Sequence, residues 1–178
     1  MKVDLVAGIT PVALGSVERT ADELARLITE GRGADTGLDL GVHASAREAA
    51  EIAHRASAGL LAVVCHPAAD PALLLGVLVA GRPGGALADG LAAASGPDVR
   101  EVVQGRTPLG YPVVFVERVV SADQLRAGEP FDCQLQAAVA DPGGARTAVF
   151  TLSSTTGRGW LCLSALFGRL VSSVDFRD

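Results

Sequence analysis

The stretch from Ala58 to Gly81, AGLLAVVCHPAADPALLLGVLVAG, constrains the fold more than any other segment of the chain. It is long enough to cross a bilayer, but His66, Pro67, Asp70 and Pro71 sit at its centre, and a membrane span tolerates such an interruption poorly. The flanking runs Leu60–Cys65 and Leu73–Ala80 lack the polar positions of an amphipathic helix. Each reads as a central strand buried on both faces, with His66–Pro71 as the hairpin loop between them and neighbouring antiparallel strands expected.

Four more β-type segments follow: Val99–Gln104, Tyr111–Val120, Cys133–Ala140 and Ala148–Ser153. Alternation is clearest around the third, where Phe131, Cys133, Leu135 and Ala137 face one way and Asp132, Gln134 and Gln136 the other. Asp141-Pro142-Gly143-Gly144 is a strong turn and makes a hairpin of Phe131–Ala140 and Arg146–Ser153. Thr107-Pro108-Leu109-Gly110 marks a break or bulge, and Ser121–Pro130 reads as a polar connection.

Helices are expected at four places. Thr20-Ala21-Asp22-Glu23 fits a capping box ahead of Leu24, Leu27 and Ile28, with Gly31 as the stop. Ser45-Ala46-Arg47-Glu48 repeats the signature before Ala49, Ile52, Ala53 and Ala56, ending near Gly59. An alanine-rich helix is expected at Ala86–Ala94, after Gly81-Arg82-Pro83-Gly84-Gly85. The last helix takes its N-cap from Ser154, Thr155 or Thr156 and lays Trp160, Leu163, Phe167, Leu170, Val171 and Val174 across the sheet. The resulting class is α+β, a mainly antiparallel β-sheet flanked by helices. A single domain, residues 1–178, is expected, in which an N-terminal helical and strand region, residues 1–59, precedes the sheet and C-terminal helix of residues 60–178.

Composition narrows the function classes. With 49% hydrophobic and 20% charged residues the chain can bury a sizeable core. A net charge of −5 argues against nucleic-acid binding, which rests on neutralising phosphates. Lys2 is the only lysine and asparagine is absent, the signature of a GC-rich genome of the actinobacterial kind, so the arginines are not read as chosen for bidentate chemistry. Met1-Lys2-Val3-Asp4 leads into no secretory pattern, and a cytoplasmic location is expected. Cys65, Cys133 and Cys162 are widely spaced and are expected to be buried, reduced thiols.

The run from Val102 to Val114 (VVQGRTPLGYPVV), the segment Thr147–Ser153 and the helix ending in Leu170–Phe176 resemble small actinobacterial proteins similar in pattern to the Mog1/PsbP-like fold. The resemblance covers about residues 99–176 and rests on hydrophobic pattern. It implies an antiparallel sheet flanked by helices and an association with binding and accessory roles. It carries over no catalytic residue.

Each candidate site competes with a plainer structural role. Cys65-His66 could pair a nucleophile with its base only if a turn at His66 overcame the opposite facing of neighbouring strand residues. A buried structural Cys65 and a loop His66 are the plainer expectation. His43, His54 and His66, with Cys65 or Asp70, show no metal-ligand spacing, and His54 is expected on the surface of its helix. Gly81–Gly85 superficially resembles an anion loop but meets neither the dinucleotide nor the P-loop pattern. The segment Ser153–Trp160 offers a second anion site: Ser154 and Thr155 supply hydroxyls, Arg158 a clamp and Trp160 a wall. Tyr111, Phe115 and Phe150 would complete a cavity between sheet and helix. Glu101, Glu117 and Asp132 are expected on a solvated sheet face.

With no catalytic constellation evident, the expected function is a non-catalytic interaction or assembly domain that binds a protein partner or self-associates, a homo-oligomer being the simplest form. A mean hydropathy of +0.35 supports that expectation. A small-molecule binder is the alternative, and an enzyme using Cys65 the third. No cofactor, nucleic acid or membrane span is expected.

Overall fold

The apolar runs without a helical rhythm become strands here, and among the described residues seven strands pair into one wholly antiparallel sheet. The computed structural model describes residues 1–33, 40–80, 98–128 and 131–177, with residues 90, 93 and 96 between them. Along the chain come β1 (Ile9–Pro11), α1 (Val17–Arg32), α2 (Leu40–Arg55), β2 (Leu60–Val64), β3 (Ala72–Ala80), β4 (Val99–Arg106) and β5 (Pro112–Val119). Then follow α3 (Ala122–Arg126), β6 (Cys133–Ala140), β7 (Arg146–Ser154) and α4 (Trp160–Ser172). The strand order is β1-β2-β3-β7-β6-β5-β4, so β1 and β4 are the edges.

The long apolar stretch is the hairpin its sequence implies, with Leu60 opposite Gly76 and Val64 opposite Ala72. β3 serves both sides of the sheet: Leu74 enters the core under α4, and Leu73 and Leu75 pack under α1 and α2. The expectation of burial on both faces holds for β2 but not for the end of β3. Leu78 and Val79 run past the start of β2 and are exposed.

Under α4, Leu163, Phe167 and Leu170 meet Leu74, Phe150 and Leu152, all essentially inaccessible to solvent. Each such side chain contributes on the order of 1.5–3 kcal/mol through removal from water. On the opposite face, Leu24 and Ile28 of α1 and Ala46 and Ala53 of α2 close over Leu61 and Val63. The small alanines let α2 sit close against its neighbours.

Two helix starts differ from expectation. α1 begins at Val17, capped by Ser16, whose hydroxyl accepts from the Arg19 amide at 3.4 Å. Thr20 therefore lies inside the helix, fully buried, and its hydroxyl donates to the Ala13 carbonyl at 3.0 Å. Glu23 accepts from the Ala13 amide at 3.1 Å, so the expected capping pair instead fastens the incoming chain to the helix flank. α1 also continues past Gly31 to Arg32, with Gly33 at φ +98° as its cap. α2 begins at Leu40, which leaves Ser45 internal rather than capping.

β1 adds a strand to those expected. Its three residues pair with β2, Ile9 opposite Val64, and its shortness and Pro11 blunt that edge. The break at Thr107–Gly110 is the turn of the β4–β5 hairpin: Gly110, at φ +85°, donates to the Thr107 carbonyl. The polar connection contains α3, held by a capping box between Ser121 and Gln124. The helix expected at Ala86–Ala94 and the Gly81–Gly85 loop lie outside the described residues, apart from Gly90 and Ala93. Among the described residues no helix is long and apolar enough to cross a membrane.

Candidate functional site

The residues nominated around Ser153–Trp160 do not converge. Ser154 is buried in β7 and its hydroxyl accepts from the Gly157 amide at 3.1 Å, so it shapes the β7–α4 turn instead of capping the helix. Thr156 likewise accepts from the Arg158 amide, and the N-cap of α4 is Gly159, with no side-chain cap. Arg158 is exposed and its guanidinium lies 3.5 Å from Asp70 on the neighbouring loop. Thr155 opens onto a different concavity of about 280 Å³, where Ser153, Leu73, Ile28 and Arg32 also contribute.

Tyr111 is farther away still. It stands six strand residues from Glu117, roughly 20 Å along β5. Its hydroxyl donates to Asp175 at 2.9 Å, and its ring meets Phe176 edge-on at 5.3 Å between centroids. Arg177 brackets Asp175 and, with Tyr111, holds that carboxyl well below the usual range. The C-terminal segment is thereby clamped to the sheet, and Tyr111 is a structural anchor rather than a ligand wall.

No hydrogen bond joins the Cys65 thiol to His66. Burial pushes the Cys65 thiol up, which disfavours the thiolate. His66 Nδ1 accepts from the Ala68 amide at 3.1 Å and serves the loop. His54 is half-buried rather than on the surface, with Nε2 3.3 Å from the Thr20 hydroxyl. Among the described residues no three His, Cys, Asp or Glu side chains are grouped to hold a metal.

The arrangement that does form is at the other edge of the sheet. Strand register places Glu101 of β4 directly opposite Glu117 of β5, and Val103 opposite Phe115. Adjacent like charges on one face repel. Three features relieve them here: a β-bulge between Val99 and Glu101, Arg100 reaching Glu117 at 3.6 Å, and Trp160 donating its indole N–H to Glu117 at 2.6 Å. The Trp160 bond holds a carboxylate whose side chain keeps only 16% of its exposure. Glu101 remains out in solvent.

Between these strands and α4 lies a groove of about 200 Å³. Val103, Phe115 and Leu135 form its floor, Trp160, Leu161 and Ser164 its wall, and the two glutamates its rim. Leu161 is 84% exposed and Val103 46%, an unusual investment of apolar surface at one place. The apolar stripe of α4 explains Trp160 but not Leu161, which lies roughly 100° round the helix from Trp160, on the flank of the stripe. The sequence points to Trp160 and Phe115 at a cavity but assigns Glu101 and Glu117 to a solvated face. The signal for their pairing is Thr107–Gly110: taken as a hairpin turn, it sets the two glutamates opposite each other.

Asp132, just ahead of β6, is half-buried, and that burial raises its carboxyl, partly offset by the Gln134 side chain at 2.7 Å. Gln134 and Gln136 are half-buried as well, so this sheet face is less wet than the alternation suggests.

No family model matches the chain, and no curated protein matches it.

Proposed function

We propose that the protein is a non-catalytic interaction domain, acting in the cytoplasm, that holds another protein chain against the surface made by β4 and the first turn of α4. One observation carries this reading: Leu161 of α4 and Val103 of β4, both exposed, line one groove beside the open edge of an eight-residue strand. Contiguous apolar surface next to unpaired strand backbone is a substrate for association. Ser154, Thr156, Arg158, Tyr111 and His66 are engaged in turns, clamps and loop contacts. The resemblance to the Mog1/PsbP-like fold over about residues 99–176 belongs to the same reading, since that fold is associated with binding and accessory roles.

Native mass spectrometry of the protein purified gently from its host tests the proposal. The expected result is a mass equal to a multiple of 18.1 kDa, or the chain plus another protein. Leu161→Asp, whose side chain is already in solvent, should abolish that species without lowering the melting temperature. A monomer carrying a small-molecule adduct, lost in Leu161→Asp, would shift the assignment to a ligand groove. A complex indifferent to Leu161→Asp would place the interface elsewhere.

A further inference from the structure

The two sheet edges are built differently. β1 has three residues and a proline, whereas β4 has eight, no proline, and six exposed positions. At the β4–β5 turn the Thr107 amide donates to the Tyr111 carbonyl at 2.9 Å. Bonded pairs alternate along an antiparallel ladder, so Gly105, Val103 and Glu101 turn their peptide groups toward β5. Val102 and Gln104 consequently present N–H and C=O to the open edge, where among the described residues no strand pairs with them.

A strand added there in antiparallel sense would continue both faces of the sheet. On the α4 face its residue p would lie opposite Val103, beside the groove of Phe115 and Leu161, and its residue p+2 opposite Glu101. The groove suits an aliphatic side chain at p, and the exposed carboxylate of Glu101, whose neighbour Glu117 is already held by Trp160 and Arg100, suits a cation at p+2. Gly105, with nothing near a built Cβ, leaves room for any side chain at p−2.

A second β4 cannot supply this pattern. In a two-fold antiparallel pairing along the regular part of β4, beyond the bulge at Val99–Glu101, opposed residues share a face, so Glu101 meets Val103, Gly105 or its own copy, none of them a cation. Centring the pair on Val103 also sets Arg100 against Arg106. Charge complementarity therefore selects a different partner.

We infer that β4 is the docking edge for an extended peptide segment of another protein, carrying an aliphatic residue at p and a lysine or arginine at p+2. This rests on the proposed interaction role and names its partner's chemistry.

The probe is an acetylated, fluorescein-labelled eight-residue peptide with isoleucine at p, valine at p+1, lysine at p+2 and threonine elsewhere. Its twin carries glutamate at p+2. Fluorescence polarisation at low salt should favour the lysine peptide by on the order of fivefold, consistent with an exposed cross-strand charge pair. Glu101→Gln should bring that ratio close to one. Gln104→Pro removes an outward N–H and no β4–β5 bond, so it should abolish binding of both peptides while far-UV circular dichroism stays unchanged. Hydrogen exchange should slow at the Val102 and Gln104 amides when peptide binds.

Equal binding of the twins, or protection elsewhere, overturns the inference while leaving an interaction domain in place. Sedimentation of the same samples separates the two ideas further. A concentration-dependent dimer that protects the same amides refutes the peptide partner but keeps the interaction role. A monomer that takes up neither peptide refutes the peptide partner, and the interaction role then stands or falls with the host-purified complex.

Discussion

Trp160→Phe isolates the contact that organises the groove. Phenylalanine keeps most of the ring packing against α4's neighbours but deletes the 2.6 Å bond from the indole N–H to Glu117. A hydrogen bond to a charged group contributes about 1.5–3 kcal/mol. Glu117 keeps 16% side-chain exposure and the Arg100 contact at 3.6 Å, so partial resolvation moves the expected loss to the lower end of that range, about 1.5–2 kcal/mol. For a chain of this length that is a fall in melting temperature of about 3–8 °C. Glu117→Gln preserves an acceptor and removes repulsion from Glu101, so by itself it should cost less than Trp160→Phe. Urea unfolding followed by far-UV circular dichroism suits the four-member cycle, because Trp160 is the sole tryptophan and fluorescence disappears with it. Because the glutamine amide still accepts a neutral hydrogen bond, the coupling energy reports only the extra strength due to charge and should be about 0.5–1 kcal/mol. A value near zero, with Trp160→Phe as stable as the wild type, would show that the bond does not hold Glu117 in place.

Other perturbations probe separate regions of the structure. Gly159 sits at φ +71° against the backbone of Ala68 and Ala69, where a Cβ would collide with both, so Gly159→Ala should lose roughly 3 kcal/mol or more; an unchanged urea midpoint would contradict this packing. Burial raises the Asp132 carboxyl, so the native state binds a proton more readily than the unfolded chain and stability rises as pH falls toward the ordinary carboxylate range. Asp132→Asn should therefore melt higher than wild type at pH 7 and show a smaller gain on acidification; equal slopes all the way down to the ordinary carboxylate range would refute the assignment. Asp175 behaves oppositely: its depressed carboxyl contributes stability above the unfolded-state value that is lost as pH falls toward the folded one, so Asp175→Asn should flatten the acid limb of the thermal stability profile. Cys65, with its thiol pushed up by burial, should alkylate with iodoacetamide at pH 7 more slowly than free cysteine; faster labelling would reopen a reactive-thiol role.

The elements legible in the sequence are those whose signal is local. The β2–β3 hairpin shows in one apolar stretch and its interruption, the β6–β7 hairpin in Asp141–Gly144, and α4 in the spacing of Leu163, Phe167 and Leu170. Each needs only a few adjacent residues to state its period or its turn. The starts of α1 and α2 escape such a reading because a capping signature recurs wherever Ser or Thr precedes Glu by three. At Thr20 the deciding fact is a contact with Ala13 seven residues back and with His54 on another helix. β1 is too short to display alternation and exists because β2 offers it an edge.

The same division runs through the candidate site. Sequence alone determined that the chain builds an α+β domain with an antiparallel sheet, because hydrophobic periodicity and turn chemistry are written residue by residue. Tertiary structure decided which carboxylates meet and which anchors separate. Register brings Glu101 to Glu117, helix placement brings Trp160 to Glu117, and the length of β5 carries Tyr111 away. Leu161 looks like any other leucine in a line of letters. Only the packing of α4 on the sheet, which turns one side of the helix inward and leaves the other in water, makes it the most exposed large apolar residue of the described chain.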